Sequence, residues 1–199
     1  MSLKIVVASN NRGKLAEFSQ LLGERFKLLS QGELQVEEVE ENGLSFVENA
    51  LLKARNAALQ TGLPALADDS GLCVDALGGA PGIYSARYAG AGASDADNNS
   101  KLIHDLKGIG ERRAHFHCAL VFVRHPEDPA PIICEGRWPG EIVDQARGDN
   151  GFGYDPHFYI PELKQCAAEL PAEQKNRLSH RGRAVAQLVQ RLQSEFPRR

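Results

Sequence analysis

Long apolar runs are missing from this chain. The apolar start, Leu3 to Ala8, is interrupted by Lys4 and is far too short for a signal core or a membrane span, and no later run approaches span length. A cytoplasmic location with no membrane partner is the resulting expectation. Cysteine is also scarce: Cys73, Cys118, Cys134 and Cys166 form no Cys-x-x-Cys pair, which excludes a zinc ribbon or dithiol motif and leaves them as buried small hydrophobes. Nor is there an excess of positive charge. Twenty-three Lys and Arg face 26 Asp and Glu, a net −3, so the chain as a whole has no attraction for a nucleic-acid backbone. Any phosphate chemistry must therefore use a local basic cluster. There is no heptad pattern, internal repeat or linker, and 199 residues of ordinary composition fit a single domain, 1–199.

What is present alternates between strand and helix signals. Leu3 to Ala8 reads as a buried strand, followed at helical spacing by Asn11 to Leu22, and a second strand is expected near Phe26 to Leu29. Ser45 with Glu48 makes a capping box before a helix whose apolar face is Phe46, Val47, Ala50, Leu51, Ala54 and Ala58. Short strands are expected at Pro64 to Ala67 and Gly71 to Asp75, on either side of a turn Asp68-Asp69-Ser70. Residues 78–93 read as a long loop, and a helix is expected near Asp95 to Leu106. Ala114 to Arg124 carries the longest strand signal and Ile132 to Trp138 its hairpin partner, and a last helix spans about Arg181 to Leu192. A hairpin mixed with strand-helix units predicts an α/β fold of mixed α+β character, with a sheet of mixed direction.

Four segments carry candidate chemistry. Ser9-Asn10-Asn11-Arg12-Gly13-Lys14 hands a strand to a helix N-terminus, where free N–H groups and the helix dipole attract anions and Lys14 adds charge. It lacks the first Gly and the final Ser or Thr of a Walker A loop, and taken alone it is better explained as a helix cap with an exposed lysine. Glu40-Glu41 and Asp68-Asp69 supply carboxylates, enough for Mg²⁺, which takes one or two of them together with waters and phosphate oxygens. Singly, these are a solvated charge run and a turn rich in side-chain caps. Gly148 to Pro156 surrounds Phe152 and Tyr154 with glycines, so that a planar base could stack on Phe152 while Asp155 holds the loop or the ligand; the bland alternative is a hairpin loop. Lys175 and Ser179-His180-Arg181 offer donors for a polyphosphate or a purine carbonyl, or are ordinary helix-surface charges. His115 and His117 share a strand face, but an isolated His-x-His lacks the further ligands of a transition-metal site, and the pair is read as sheet or interface residues.

Read in order, these segments resemble the inosine triphosphate pyrophosphatase family, over nearly the whole chain. The stretches that carry the resemblance are Ala8 to Lys14 with Glu17, Glu41 to Phe46 with Glu48-Asn49-Ala50 and Lys53-Ala54, and Ala67 to Leu72. They continue with Gly79 to Gly82, Ser85 to Tyr88, Gly151 to Pro156 and Ser179-His180-Arg181. Ser9 stands where the family usually has Thr, which keeps the hydroxyl. The resemblance implies an elongated mixed sheet with helical lobes around a central substrate cleft, a homodimer, and Mg²⁺-dependent hydrolysis of ITP, dITP and XTP to the monophosphate and pyrophosphate. By matching positions it implies that Ser9, Asn11 and Lys14 hold phosphate and that Glu41 and Asp69 organise Mg²⁺ with Asp68 in support; Asn10, Arg12 and Gly13 of the same turn, and Lys53, are added as further substrate-binding candidates. Asp69 also becomes the general base, Ser70 contacts substrate, and Phe152, Gly153, Tyr154, Asp155, Lys175, His180 and Arg181 form the nucleoside pocket. Two alternatives stand beside this: a module that binds nucleotides without cleaving them, which would not need Glu41, Asp68 and Asp69 together, and a pyrophosphatase for other modified nucleotides.

Overall fold

A computed structural model describes residues 3–10, 12–22 and 26–196 of the chain. The described strands form one seven-stranded sheet in the order β2-β1-β3-β4-β5-β6-β7, where β1 is Leu3–Val7, β2 Phe26–Ser30, β3 Ala65–Val74, β4 Arg113–Val123, β5 Ile132–Ile142, β6 Phe158–Ile160 and β7 Gln165–Cys166. β1 pairs in parallel with β2 and β3, whereas β5, β6 and β7 pair antiparallel, so the sheet is mixed as expected. The α-helices are α1 (Arg12–Leu22), α2 (Phe46–Thr61), α3 (Asp95–Asp105), α4 (Ala172–Leu178) and α5 (His180–Glu195). No helix among the described residues is long and apolar enough to cross a membrane.

The chain divides into two compact units. The first comprises residues 1–69, 118–136 and 182–199, and the second 70–117 and 137–181. In the first, alternation along the strands fills both faces of the sheet. Ile5, Val7, Leu66, Leu120 and Phe122 pack with Phe18 and Leu22 of α1 and with Val185 and Leu188 of α5. Val6, Ala8, Ala65, Ala67, Val121 and Val123 face the alanine stripe Ala50, Ala54, Ala57 and Ala58 of α2. In the second unit one sheet face is apolar, built on Leu72, Val74, Phe116, Trp138 and Phe158 with Leu102 of α3 and Leu106 just past its end. The other face carries His115 and His117, with His115 Nδ1 3.1 Å from the Arg137 guanidinium. That guanidinium and burial both hold the His115 pKa below its ordinary value, burial more strongly. Among the described residues no group of three His, Cys, Asp or Glu side chains is arranged to hold a metal by itself.

The end of α2 nearest the acidic segment is set by local chemistry. The Ser45 hydroxyl accepts from the Glu48 N–H at 3.3 Å, and the Glu48 carboxylate in turn takes the Ser45 hydroxyl at 2.7 Å and the Leu44 N–H at 3.0 Å. At the other end Gly62, at φ 66°, donates to the Ala58 carbonyl. Ser45→Ala is expected to cost about 1 kcal/mol, seen as a fall in melting temperature of roughly 2–4 °C.

Several expectations need correction. Asp68-Asp69-Ser70-Gly71 is not a turn between two strands: β3 runs through it unbroken for 10 residues. β5 continues past Trp138 to Ile142, across Pro139 and Gly140. Residues 82–87, within the expected loop, form a 3₁₀ helix. β6, β7 and α4 had no sequence forecast.

Candidate active site

Strand geometry decides what the two consecutive aspartates do. Successive side chains in a strand point to opposite faces, so Asp68 follows Leu66 toward the α1 side and Asp69 follows Ala65 and Ala67 toward α2. Asp68, 2% exposed, meets Lys14 Nζ of α1 at 2.7 Å. Asp69, 8% exposed, lies 3.5 Å from Lys53 Nζ of α2, and the same ammonium is 3.2 Å from Glu41. A single lysine thus brings together two carboxylates that are far apart in sequence.

Asn49 fixes this arrangement. Fully buried on α2, it accepts the Gly43 N–H on Oδ1 at 2.8 Å and donates from Nδ2 to Asp69 Oδ2 at 3.2 Å. Gly43 is needed at this approach, because a Cβ there would lie 2.7 Å from Asn49 Oδ1. The loop carrying Glu41 and the carboxylate of Asp69 are therefore registered by one amide. Burial pushes the Asp69 pKa up, Lys53 opposes it, and the neighbouring Glu41 and Asp68 add to the rise. Burial disfavours the Lys53 charge, but Asp69, Asp68 and Glu41 outweigh it and hold the ammonium above its usual pKa. The corner thus concentrates negative charge that a cation would offset.

A pocket of about 180 Å³ opens here, lined by Ser9, Asn10, Lys14, Glu38, Glu41, Lys53 and Asp68 among others. The parallel pairing of β1 with β3 brings the Ser9 turn beside the acids, as the Ala8 N–H donates to the Leu66 carbonyl at 2.8 Å. Glu38 was not singled out from sequence, yet its Oε1 accepts from Asn10 Nδ2 at 2.9 Å and from Gln31 Nε2 at 3.3 Å. Asn11 lies outside the described residues, and of Arg12 and Gly13 only the helical backbone is described. Glu40 is exposed. Asn49 was also missed as a functional residue; an amide on the sheet-facing side of an alanine-rich helix was the available signal.

The candidate base-binding residues lie in the second unit. Phe152 is 51% exposed, and Lys175 Nζ sits 4.8 Å from its ring centroid. Asp155 is buried and ion-paired with Lys175, and its Oδ2 accepts the Phe152 N–H at 2.9 Å, so this carboxylate holds the loop. Burial raises the Asp155 pKa, with Lys175 as the main opposing influence. Gly151, at φ 77°, admits no side chain, since a Cβ would fall 2.1 Å from Asp155 Oδ2. The Tyr154 hydroxyl donates to the Ser85 carbonyl at 2.7 Å. His180 is buried with its ring stacked on Phe116, centroids 4.9 Å apart, and Arg181 beside it is also buried. Ser70 follows Asp69 in β3 and is half-buried.

The fold is that of an α/β protein with a mixed sheet, and it carries a pocket lined by carboxylates and lysines beside a strand-to-helix turn. Comparison with known proteins agrees. The Ham1 family model matches residues 5–191. A dITP/XTP pyrophosphatase of Ralstonia nicotianae is 58% identical over 193 residues, covering 95% of this chain and 96% of that protein. The protein of the same name from Nitrosomonas europaea is 57% identical over 190 residues, covering 95% and 94%. Among solved structures, a HAM1 protein from Coxiella burnetii superposes with a TM-score of 0.93 at 51% identity, covering 96% of this chain and 99% of that one. The chain belongs to the Ham1 family, which bears out the resemblance carried by the ordered motifs.

Proposed function

We propose that this chain is a nucleoside triphosphate pyrophosphatase that converts ITP, dITP and XTP to the monophosphate and pyrophosphate, clearing deaminated purines from the nucleotide pool. The observation that carries the proposal is the corner in which Lys53 bridges Glu41 and Asp69, with Lys53 and Glu41 lining one pocket together with Ser9, Asn10 and Lys14. The relatives named dITP/XTP pyrophosphatase support the choice of substrate.

Mg²⁺ fits the donors available: a hard ion needs one or two carboxylates and completes its shell with water and phosphate oxygens. Glu41 and Asp69 would hold it, with Asp68 in support, and when bound it would offset charge on the phosphoryl oxygens. The rest is the work of the chain's own groups. Lys14 and Lys53 place positive charge at the triphosphate, and Ser9, Asn10 and the backbone of the turn offer donors. Asp69 Oδ2 is steered by Asn49, leaving the carboxylate oriented to position or deprotonate the water that attacks the α-phosphorus. Since phosphoryl transfer needs chiefly positioning and charge stabilisation, no side-chain nucleophile and no covalent intermediate are required. Phe152 offers its exposed face to the purine, and His180 and Arg181 supply donors to the six-position carbonyl that adenine lacks. We also propose that the chain works as a cytoplasmic homodimer, to be checked by its sedimentation mass.

The test is product identity across a substrate panel. ITP and XTP should release pyrophosphate and no orthophosphate, and ATP should be cleaved less efficiently by a factor of up to roughly 10⁴. Orthophosphate as the first product, or equal kcat/KM for ITP and ATP, would refute the bond cleaved or the selectivity respectively.

A further inference from the structure

Helix α3 grips the loop that presents Phe152, and neither of the two residues responsible belongs to the site described so far. The Gly153 N–H donates to Asp95 Oδ2 at 2.7 Å, and the Gly153 carbonyl accepts from Asn99 Nδ2 at 2.8 Å. Both polar groups of one peptide residue are thus taken by side chains one helical turn apart, which share a helix face. Gly153 adopts φ 62°, a left-handed conformation that turns the chain between Phe152 and Tyr154.

The same helix also acts on Tyr154. Asn98, 3% exposed, accepts the Ala89 N–H at 2.8 Å and donates to the Ala86 carbonyl at 3.2 Å. It thereby ties down the segment whose Ser85 carbonyl receives the Tyr154 hydroxyl. Leu102, and Leu106 just past the end of the helix, continue the same face into the apolar core, which packs this support in place. The local capping box, with the Ser94 hydroxyl and the Asp97 side chain bonding each other's N–H groups, keeps the first turn in place independently of the loop.

We propose that Asp95 and Asn99 are positioning residues for base recognition, acting through Gly153 to hold the Phe152 loop in its binding conformation before the nucleotide arrives. This rests on the reading that Phe152 stacks on the purine. A loop already fixed needs no ordering by the ligand, whereas a released loop must be ordered on binding, which lowers affinity in proportion to the loss of the competent state. The groups concerned do not touch the phosphates, so the loss falls on nucleoside affinity. Uniform weakening of substrate and transition state raises KM and leaves kcat alone.

The experiment measures kcat and KM for ITP, together with the inhibition constant of inorganic pyrophosphate, in Asp95→Ala, Asn99→Ala, Asp95→Asn and Phe152→Ala. Each alanine variant on α3 loses one hydrogen bond to Gly153 and should raise KM about tenfold, with kcat within about twofold. The pyrophosphate constant should not change. Asp95→Asn keeps an acceptor oxygen at the same reach and should restore most of the affinity. If Phe152→Ala raises KM but Asp95→Ala and Asn99→Ala do not, the positioning role is overturned while the base site stands. A parallel rise in KM and in the pyrophosphate constant would show general loosening and also overturn it. If Phe152→Ala leaves KM unchanged, the stacking role fails and this proposal fails with it.

Discussion

Asp69→Asn should lower turnover of ITP by about 10²–10⁴-fold, the range removed with a general base, while the folded state persists. The substitution keeps the shape of the side chain and an oxygen for Asn49 Nδ2, so its surroundings need not repack. What it removes is the negative charge and the ability to accept a proton. Lys53 retains Glu41 as a counter-ion at 3.2 Å, which limits the cost of losing its other partner. Measured with ITP at saturating Mg²⁺, kcat should fall with little change in melting temperature. Near wild-type turnover would remove Asp69 from the mechanism.

The second large effect is on stability. Asp155→Ala deletes one member of a buried ion pair and the acceptor of the Phe152 N–H together. Removing a single partner leaves the other charge poorly compensated, a loss of roughly 3 kcal/mol at the lower end of such cases. The lower end is appropriate because the Lys175 side chain keeps 13% of its exposure and can reach water in part. For a chain of this size the melting temperature should fall by roughly 6–12 °C. Asp155→Ala combined with Lys175→Met should be less destabilised than the sum of the two single changes, since neither charge is then left behind. Additive losses would mean that the two side chains act independently, contrary to the contact between them.

Much of the local structure could be read directly from the residues. Ser45 and Glu48 announced the start of α2, and the alternation of His115, Phe116, His117 and Cys118 gave the two faces of β4 because period-two patterning is a local property. The acidic segment of β3 was not readable in the same way. Asp, Ser and Gly favour turns, and a strand through Asp68-Asp69-Ser70-Gly71 holds only because each carboxylate finds a partner from elsewhere: Lys14 for Asp68, Asn49 and Lys53 for Asp69. Pro139 and Gly140 likewise suggested the end of β5. Instead Gly140 lets the Phe158 ring and the Tyr159 carbonyl of β6 approach, where a Cβ would sit 2.6 Å from both, a packing reason invisible along the chain. β6 and β7, three and two residues long, exist through pairing and carry almost no pattern of their own.

The sequence by itself determined the chemical inventory of this protein: the acids, the two lysines, the glycine-bounded aromatics and the helices that carry several of them. Only the tertiary structure decided that Asp68 and Asp69 part to opposite faces and that one ammonium gathers Glu41 and Asp69. It also decided that the Phe152 loop is gripped from α3. The physical reason is that hydrogen bonds and ion pairs between residues distant along the chain depend on how strands and helices pack, and short-range propensity carries no record of that packing.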